Sequence, residues 1–186
     1  MNAPTVSISP LLRRHLRAVM AIERQVYPKP WTQSLFESEL ALPASRVYRV
    51  ARGGRSVLGY AGIMLAPDEA HITTIAVDPR WHRHHIATRL LLVLARDAIA
   101  RGYEALTLEV RSSQRGAQAL YRRFGLRPEG ARTSYYTDPV EDAIVMWVRG
   151  INTPEYAALL SGLERRADAG GCPPSRSEPV VNEGTS

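Results

Sequence analysis

Cysteine is nearly absent: Cys172 is the single one among 186 residues. One thiol cannot build an internal disulfide framework, which excludes the stapled secreted scaffolds and fits a reducing cytoplasm. Long apolar runs are missing too, and no stretch approaches the roughly 20 residues that a transmembrane helix needs. The opening Met1-Asn2-Ala3-Pro4-Thr5 lacks the charged-then-apolar pattern of a secretory signal, so a cytoplasmic protein with no membrane partner is expected. No internal repeat is present. Apolar residues grow scarce after about Arg166, where Gly-Gly, Pro-Pro, Ser, Glu and Asn take over. Residues 167–186 are therefore expected to be a disordered tail behind one globular domain of residues 1–166.

Acidic residues are outnumbered, with 18 Asp and Glu against 24 Lys and Arg, a formal net charge of +6. That balance favours an anionic partner, whether nucleic acid, a ribosome or a polyphosphate such as coenzyme A, and equally suits an arginine-rich proteome. What is present in quantity is ordinary globular material: 45% hydrophobic and 23% charged residues.

Ser9-Pro10 reads as a helix start, and Leu12, Leu16, Val19, Met20 and Glu23 then recur at helical spacing. Pro28 and Pro30 break that helix, and Trp31-Thr32 opens another with Leu35, Phe36 and Leu40 as its stripe. Strands follow over 47–51 and 57–65 around a Gly53-Gly54 turn, and a third over 71–77. A long helix over 86–100 stops at Gly102, a strand covers 105–110, and a shorter helix over 116–124 stops at Gly125. Strands near 132–136 and 143–149, then a short helix over 156–163, complete a mixed α/β domain.

Three units carry possible chemistry. The first is the strand, turn and helix start from Thr73 through Asp78, His82, His84 and His85 to Leu90. Unpaired N–H groups and the helix dipole favour phosphate oxygens at such a start, and Arg83 adds charge. It is not a P-loop, because the lysine and Ser/Thr are missing. A solvated basic surface explains it as readily, and the histidine spacing matches no metal-binding pair. The second unit places Thr107, Glu109 and Arg111 on one strand face, opposite Leu106, Leu108 and Val110. Glu109 suits a general base beside a cleft; read alone, a strand-end glutamate paired with an arginine is the plainer account. In the third, Ala117, Leu120, Tyr121 and Phe124 share a helix face. Tyr121 suits a general acid, and equally the margin of a core stripe.

Together and in this order, the three units resemble the GNAT acetyltransferases, and more narrowly the RimI-type N-acetyltransferases that modify the N-terminal alanine of a ribosomal protein. The resemblance runs from about Ile22 to Trp147. It includes Pro30-Trp31-Thr32, Ile75-Ala76-Val77-Asp78-Pro79, Leu108-Glu109-Val110-Arg111, Ala119-Leu120-Tyr121-Arg122-Arg123-Phe124-Gly125, Tyr135-Tyr136 and Glu141-Asp142-Ala143-Ile144-Val145-Met146. It implies the GNAT fold, a single mixed, mostly antiparallel central sheet flanked by helices. It also implies acetyl-CoA as co-substrate with no metal, and direct acetyl transfer to a free α-amino group. Glu109 would take the amine's proton and Tyr121 would protonate the leaving thiolate. The backbone of Ile75, Ala76 and Val77 would hold the acetyl group. Arg83, His84, His85, Ile86, Ala87 and Thr88 would hold the pyrophosphate, with Gln114 also on the cofactor. Trp31, Tyr135 and Tyr136 would meet the substrate.

The sequence departs from the family loop Q/R-x-x-G-x-G/A at His82 and at His85, which stands where the first glycine does. Gln114 replaces the usual asparagine. The expected partner is a protein or peptide N-terminus, possibly of a ribosomal protein, on a monomer or weak oligomer without direct nucleic-acid contact. The alternatives are an acetyltransferase of a lysine side chain or small amine, and a non-catalytic binding module of the same fold.

Overall fold

β2 (Arg46–Gly53) and β3 (Ser56–Leu65) form the hairpin that the Gly53-Gly54 turn predicts, antiparallel from Arg46–Met64 to Gly53–Ser56. This is seen in a computed structural model that describes residues 5–170; most of the tail expected over 167–186 lies outside those residues. β4 (Ala70–Val77) continues the sheet antiparallel to β3, and β1 (Val6–Pro10) covers the outer edge of β2. Past β4 lie β5 (Ala105–Arg111), β7 (Val140–Arg149) and β6 (Arg127–Thr137), giving the order β1-β2-β3-β4-β5-β7-β6. Every neighbouring pair is antiparallel except β4 and β5, which α3 (Ile86–Ala100) connects as a crossover.

The β4–β5 pair positions the site. Its register holds only at Ala70–Leu106 and His71–Thr107. Beyond those residues β4 runs on to Val77 and β5 to Arg111 with a gap between them.

Helices cover both faces. α1 (Leu16–Val26) and α2 (Gln33–Leu40) pack Leu16, Val19 and Phe36 on Tyr48, Val50 and Tyr60. α3, α4 (Arg115–Arg123) and α5 (Pro154–Ala169) cover the other face, where Leu90, Leu91, Leu94, Tyr156, Leu160 and Leu163 meet Val47, Ala51, Leu58 and Leu106. Strand alternation separates the two sets: Val47 and Ala51 face one core, Tyr48 and Val50 the other. Gly102 and Gly125 end their helices at φ +85 and +83, the left-handed backbone that a glycine stop supplies.

Four expectations need correction. Ser9-Pro10 starts no helix; both residues end β1, an edge strand where proline's missing N–H is tolerated. The helix begins after a 3-10 turn over Arg13–His15, where the Leu12 N–H donates to His15 Nδ1 at 3.1 Å. Leu35 is 40% exposed while Phe36 is fully buried, so α2 has a narrower stripe than the spacing predicts. β6 begins at Arg127, because its exposed, irregular first half alternates too little to read as a strand. α5 spans Pro154–Ala169, longer at both ends than the helix expected over 156–163, with Ala167 buried. Among the described residues no helix is long and apolar enough to cross a membrane.

Candidate active site

Where β4 and β5 part, the sheet opens into a cleft of about 570 Å³. Tyr27 and Trp31, from the link between α1 and α2, form one wall, and Tyr135, Tyr136 and Glu141 of the β6–β7 hairpin form the other. A second compartment of about 710 Å³ lies beyond, lined by Ile75, Val77, Arg83, His85, Ile86, Ala87, Thr88 and Arg123. Ile75, Ala117 and Tyr121 border both, so the two meet at a neck.

The backbone at the neck has a fixed direction. The Asp78 N–H donates across to Leu58 O at 2.9 Å, toward β3. Alternation then turns the N–H and C=O groups of Val77 and Ile75 the other way, toward the gap. Both carbonyls are engaged: Ile75 O accepts from the Tyr27 hydroxyl at 2.8 Å, and Val77 O from His82 Nε2 at 3.1 Å. A carbonyl only accepts, so His82 Nε2 carries a proton. The Ala76 side chain turns into the smaller core and borders neither compartment.

Glu109 projects from the face of β5 opposite its apolar residues. Its carboxylate side chain is only 8% exposed and meets His71 Nε2 at 2.9 Å and the Arg132 guanidinium at 3.0 Å. The arginine pairing that the plainer reading anticipates is thus present, in a carboxylate that lines the cleft. Arg111 goes elsewhere, to Glu141 at 3.2 Å and over the Tyr136 ring at 4.1 Å. Tyr121 lies on the buried face of α4, and burial pushes its hydroxyl well above the usual phenol range, so it stays protonated. The buried Gln118 amide donates to Arg111 O at 3.1 Å and Ser112 O at 3.0 Å, which fixes α4 against the end of β5.

The loop before α3 keeps the backbone shape that a glycine would allow, without the glycine. Arg83 and His85 adopt φ +68 and +57. His84 packs edge-on against Trp81 at 5.6 Å between ring centroids and borders neither compartment. No three His, Cys, Asp or Glu side chains among the described residues gather as a metal site. Gln114 faces the first compartment rather than the second.

Residues 16–126 match the model of the acetyltransferase (GNAT) family. The chain belongs to the GNAT acetyltransferases. It is 37% identical over 154 residues to the N-alpha-acetyltransferase RimI of Mycobacterium tuberculosis, spanning 78% of this chain and 95% of that protein. It is 34% identical over 142 residues to the ribosomal protein bS18-alanine N-acetyltransferase of Escherichia coli strain K12, spanning 75% and 95%. The crystal structure of the ribosomal-protein-S18-alanine N-acetyltransferase from Escherichia coli superposes with a TM-score of 0.72 at 32% identity, over 78% of this chain and 94% of that one.

In this GNAT enzyme several residues at the cleft carry no sequence signal of their own role. His71 and Arg132 reach Glu109 only because β5 lies between β4 and the β7–β6 pair. Glu23 is different. It sits within an apolar helix stripe, and a carboxylate at a core position is a signal that could have marked it. It is 1% exposed, accepts from the Tyr60 hydroxyl and from the Trp31 N–H, and lines the cleft. Burial pushes its carboxyl above the usual range. Tyr135 and Tyr136 meet edge-to-face at 5.2 Å, with Arg132 lying over Tyr135 at 5.5 Å.

Proposed function

We propose that this GNAT enzyme moves the acetyl group of acetyl-CoA onto the α-amino group of a protein N-terminus in the cytoplasm, its substrate an alanine that begins a ribosomal protein. The observation that carries the reading is the disposition of Glu109 and Tyr121, one in the cleft and the other at the neck, with a basic helix start beyond. The relatives named for ribosomal-protein alanine acetylation support the substrate class.

The second compartment suits coenzyme A by its donor set. The first-turn N–H groups of α3, together with Arg83 and Arg123, meet the needs of a pyrophosphate. An α-amino group titrates near pKa ~8, so at neutral pH it arrives mostly as ammonium. Glu109 draws that cation into the cleft and takes its proton, while His71 holds one carboxylate oxygen. The freed amine nitrogen attacks the thioester carbonyl carbon. The N–H groups of Ile75 and Val77 stabilise the oxygen as it gains charge. The C–S bond then breaks as the C–N bond persists: Tyr121 gives its hydroxyl proton to the departing sulfur, and the new amide nitrogen sheds its second proton through solvent as the tyrosinate regains one. Trp31, Tyr135 and Tyr136 flank the peptide.

An acetylation assay on peptides with free or blocked N-termini tests this. Free N-terminal alanine peptides should be acetylated, and Glu109→Gln should lower the rate by roughly 10²–10⁴. A blocked peptide with a free lysine emerging as the best substrate overturns the N-terminal assignment. A rate unchanged in Glu109→Gln removes the base role.

A further inference from the structure

Gly170 closes α5 at φ −78 and ψ 6, a backbone that any residue adopts, so conformational freedom does not account for a glycine. Room does. A Cβ at Gly170 would lie 2.6 Å from His85 Nε2 and 3.0 Å from its Cδ2. The space that a side chain would need is filled by the imidazole of His85.

His85 is itself in an unusual state, at φ 57 and ψ 17 on the residue that precedes α3. A non-glycine side chain there is strained and persists where its surroundings over-determine it. Part of those surroundings comes from α5. Arg89, one turn into α3, donates to Ala167 O at 3.2 Å and pairs with Asp168 at 2.9 Å. Arg96 pairs with Glu164 at 2.7 Å two turns further on. These contacts run the last turns of α5 along the first turns of α3 and bring Gly170 onto the imidazole. α5 lies beyond residues 16–126, the part that matches the family model.

We propose that His85 and Gly170 are positioning residues for the co-substrate: the end of α5 clamps His85 in the left-handed backbone that aims the first N–H groups of α3 at the pyrophosphate. The clamp does the work of the glycine that other family loops carry, and it makes α5 part of the cofactor site. The inference rests on the reading of the second compartment as the acetyl-CoA site. It also requires coupling. Glycine is needed at 170 only while histidine stands at 85, and a glycine at 85 needs no clamp.

The full chain is titrated calorimetrically with acetyl-CoA and assayed for KM and kcat, as wild type, Gly170→Ala, His85→Gly and the double variant. Gly170→Ala should weaken acetyl-CoA binding and raise its KM about tenfold, with kcat and the peptide KM nearly unchanged. The double variant should bind within about twofold of His85→Gly alone. An unchanged affinity in Gly170→Ala, or a double variant showing the full Gly170→Ala loss, overturns the clamp while leaving the acetyl-CoA reading intact. A wild type that binds no acetyl-CoA at millimolar concentration overturns both. Should Gly170→Ala fail to fold, His85→Ala keeps the glycine and removes the imidazole; it should bind more weakly than His85→Gly, and equal binding rejects the clamp.

Discussion

Glu23, Glu109 and Glu141 line the compartment on one side of Tyr121, whereas His82, Arg83, His85 and Arg123 line the one on the other, where no carboxylate borders the space among the described residues. The carboxylates are positioned by side chains and strands. Glu109 is held between His71 and Arg132, and Glu141 is held down to about 2, first by the Ser113 N–H at 2.6 Å. The basic side relies instead on backbone, through a helix start and two residues at positive φ. On the proposed function the difference separates the jobs: the carboxylate side would attract a cation and move its proton, and the backbone side would grip an anion. Substitutions on the two sides should therefore fail in different kinetic constants.

The sharpest test of that division lies at the neck. Tyr121→Phe keeps the ring that packs on the larger core and removes only the hydroxyl, so binding on both sides should survive. We expect kcat to fall by roughly 10²–10⁴ with both KM values within a few-fold of wild type, read by steady-state kinetics. A large rise in KM for acetyl-CoA with kcat preserved would instead make Tyr121 part of the binding wall.

Arg83→Ala acts on the other side. A hydrogen bond to a charged group contributes about 1.5–3 kcal/mol, so its loss should raise the KM for acetyl-CoA by about tenfold or more and leave kcat nearly unchanged. Equal loss in kcat would show that the loop also aligns the reacting carbonyl, and the contrast between the compartments would narrow.

Much of this contrast is legible in the sequence, and the part that is not has a physical cause. Glu109 on the polar face of β5 follows from period-two alternation, and Tyr121 with its helix stop from period 3.6 and Gly125. The gap between β4 and β5 does not follow, because register is a property of two strands and neither sequence records where pairing ends. His71 and Arg132 are hidden in the sequence for the same reason: they meet Glu109 through sheet order. Ser9-Pro10 misleads because the same pair suits a helix start and the end of an edge strand, and burial of Val6 decides for the strand. The contact between His85 and Gly170 joins residues far apart in the chain, and nothing local to either announces it.

Acidification should produce the smallest effect and still distinguish the sides. Burial, reinforced by Arg123, Arg89, His84 and Arg83, lowers the His85 imidazole below its usual 6.5. His15 is lowered in the same way, first by burial, and its Nδ1 accepts from Leu12, a bond that protonation at that atom removes. A lowered folded-state pKa means that the unfolded chain binds the proton more readily. The stability from each neutral imidazole is complete above about 6.5 and is lost as pH falls through the lowered value. Tm should therefore drop as pH falls below about 6.5. For a chain of this size 1 kcal/mol corresponds to about 2–4 °C, and each of the two imidazoles should contribute no more than that. His85→Gly should flatten part of the slope and His15→Gln the remainder, as followed by thermal melts across that range. A slope that both variants leave intact would overturn the assignment to His85 and His15; Glu23 could not supply it, because a carboxyl raised on folding gains stability as pH falls.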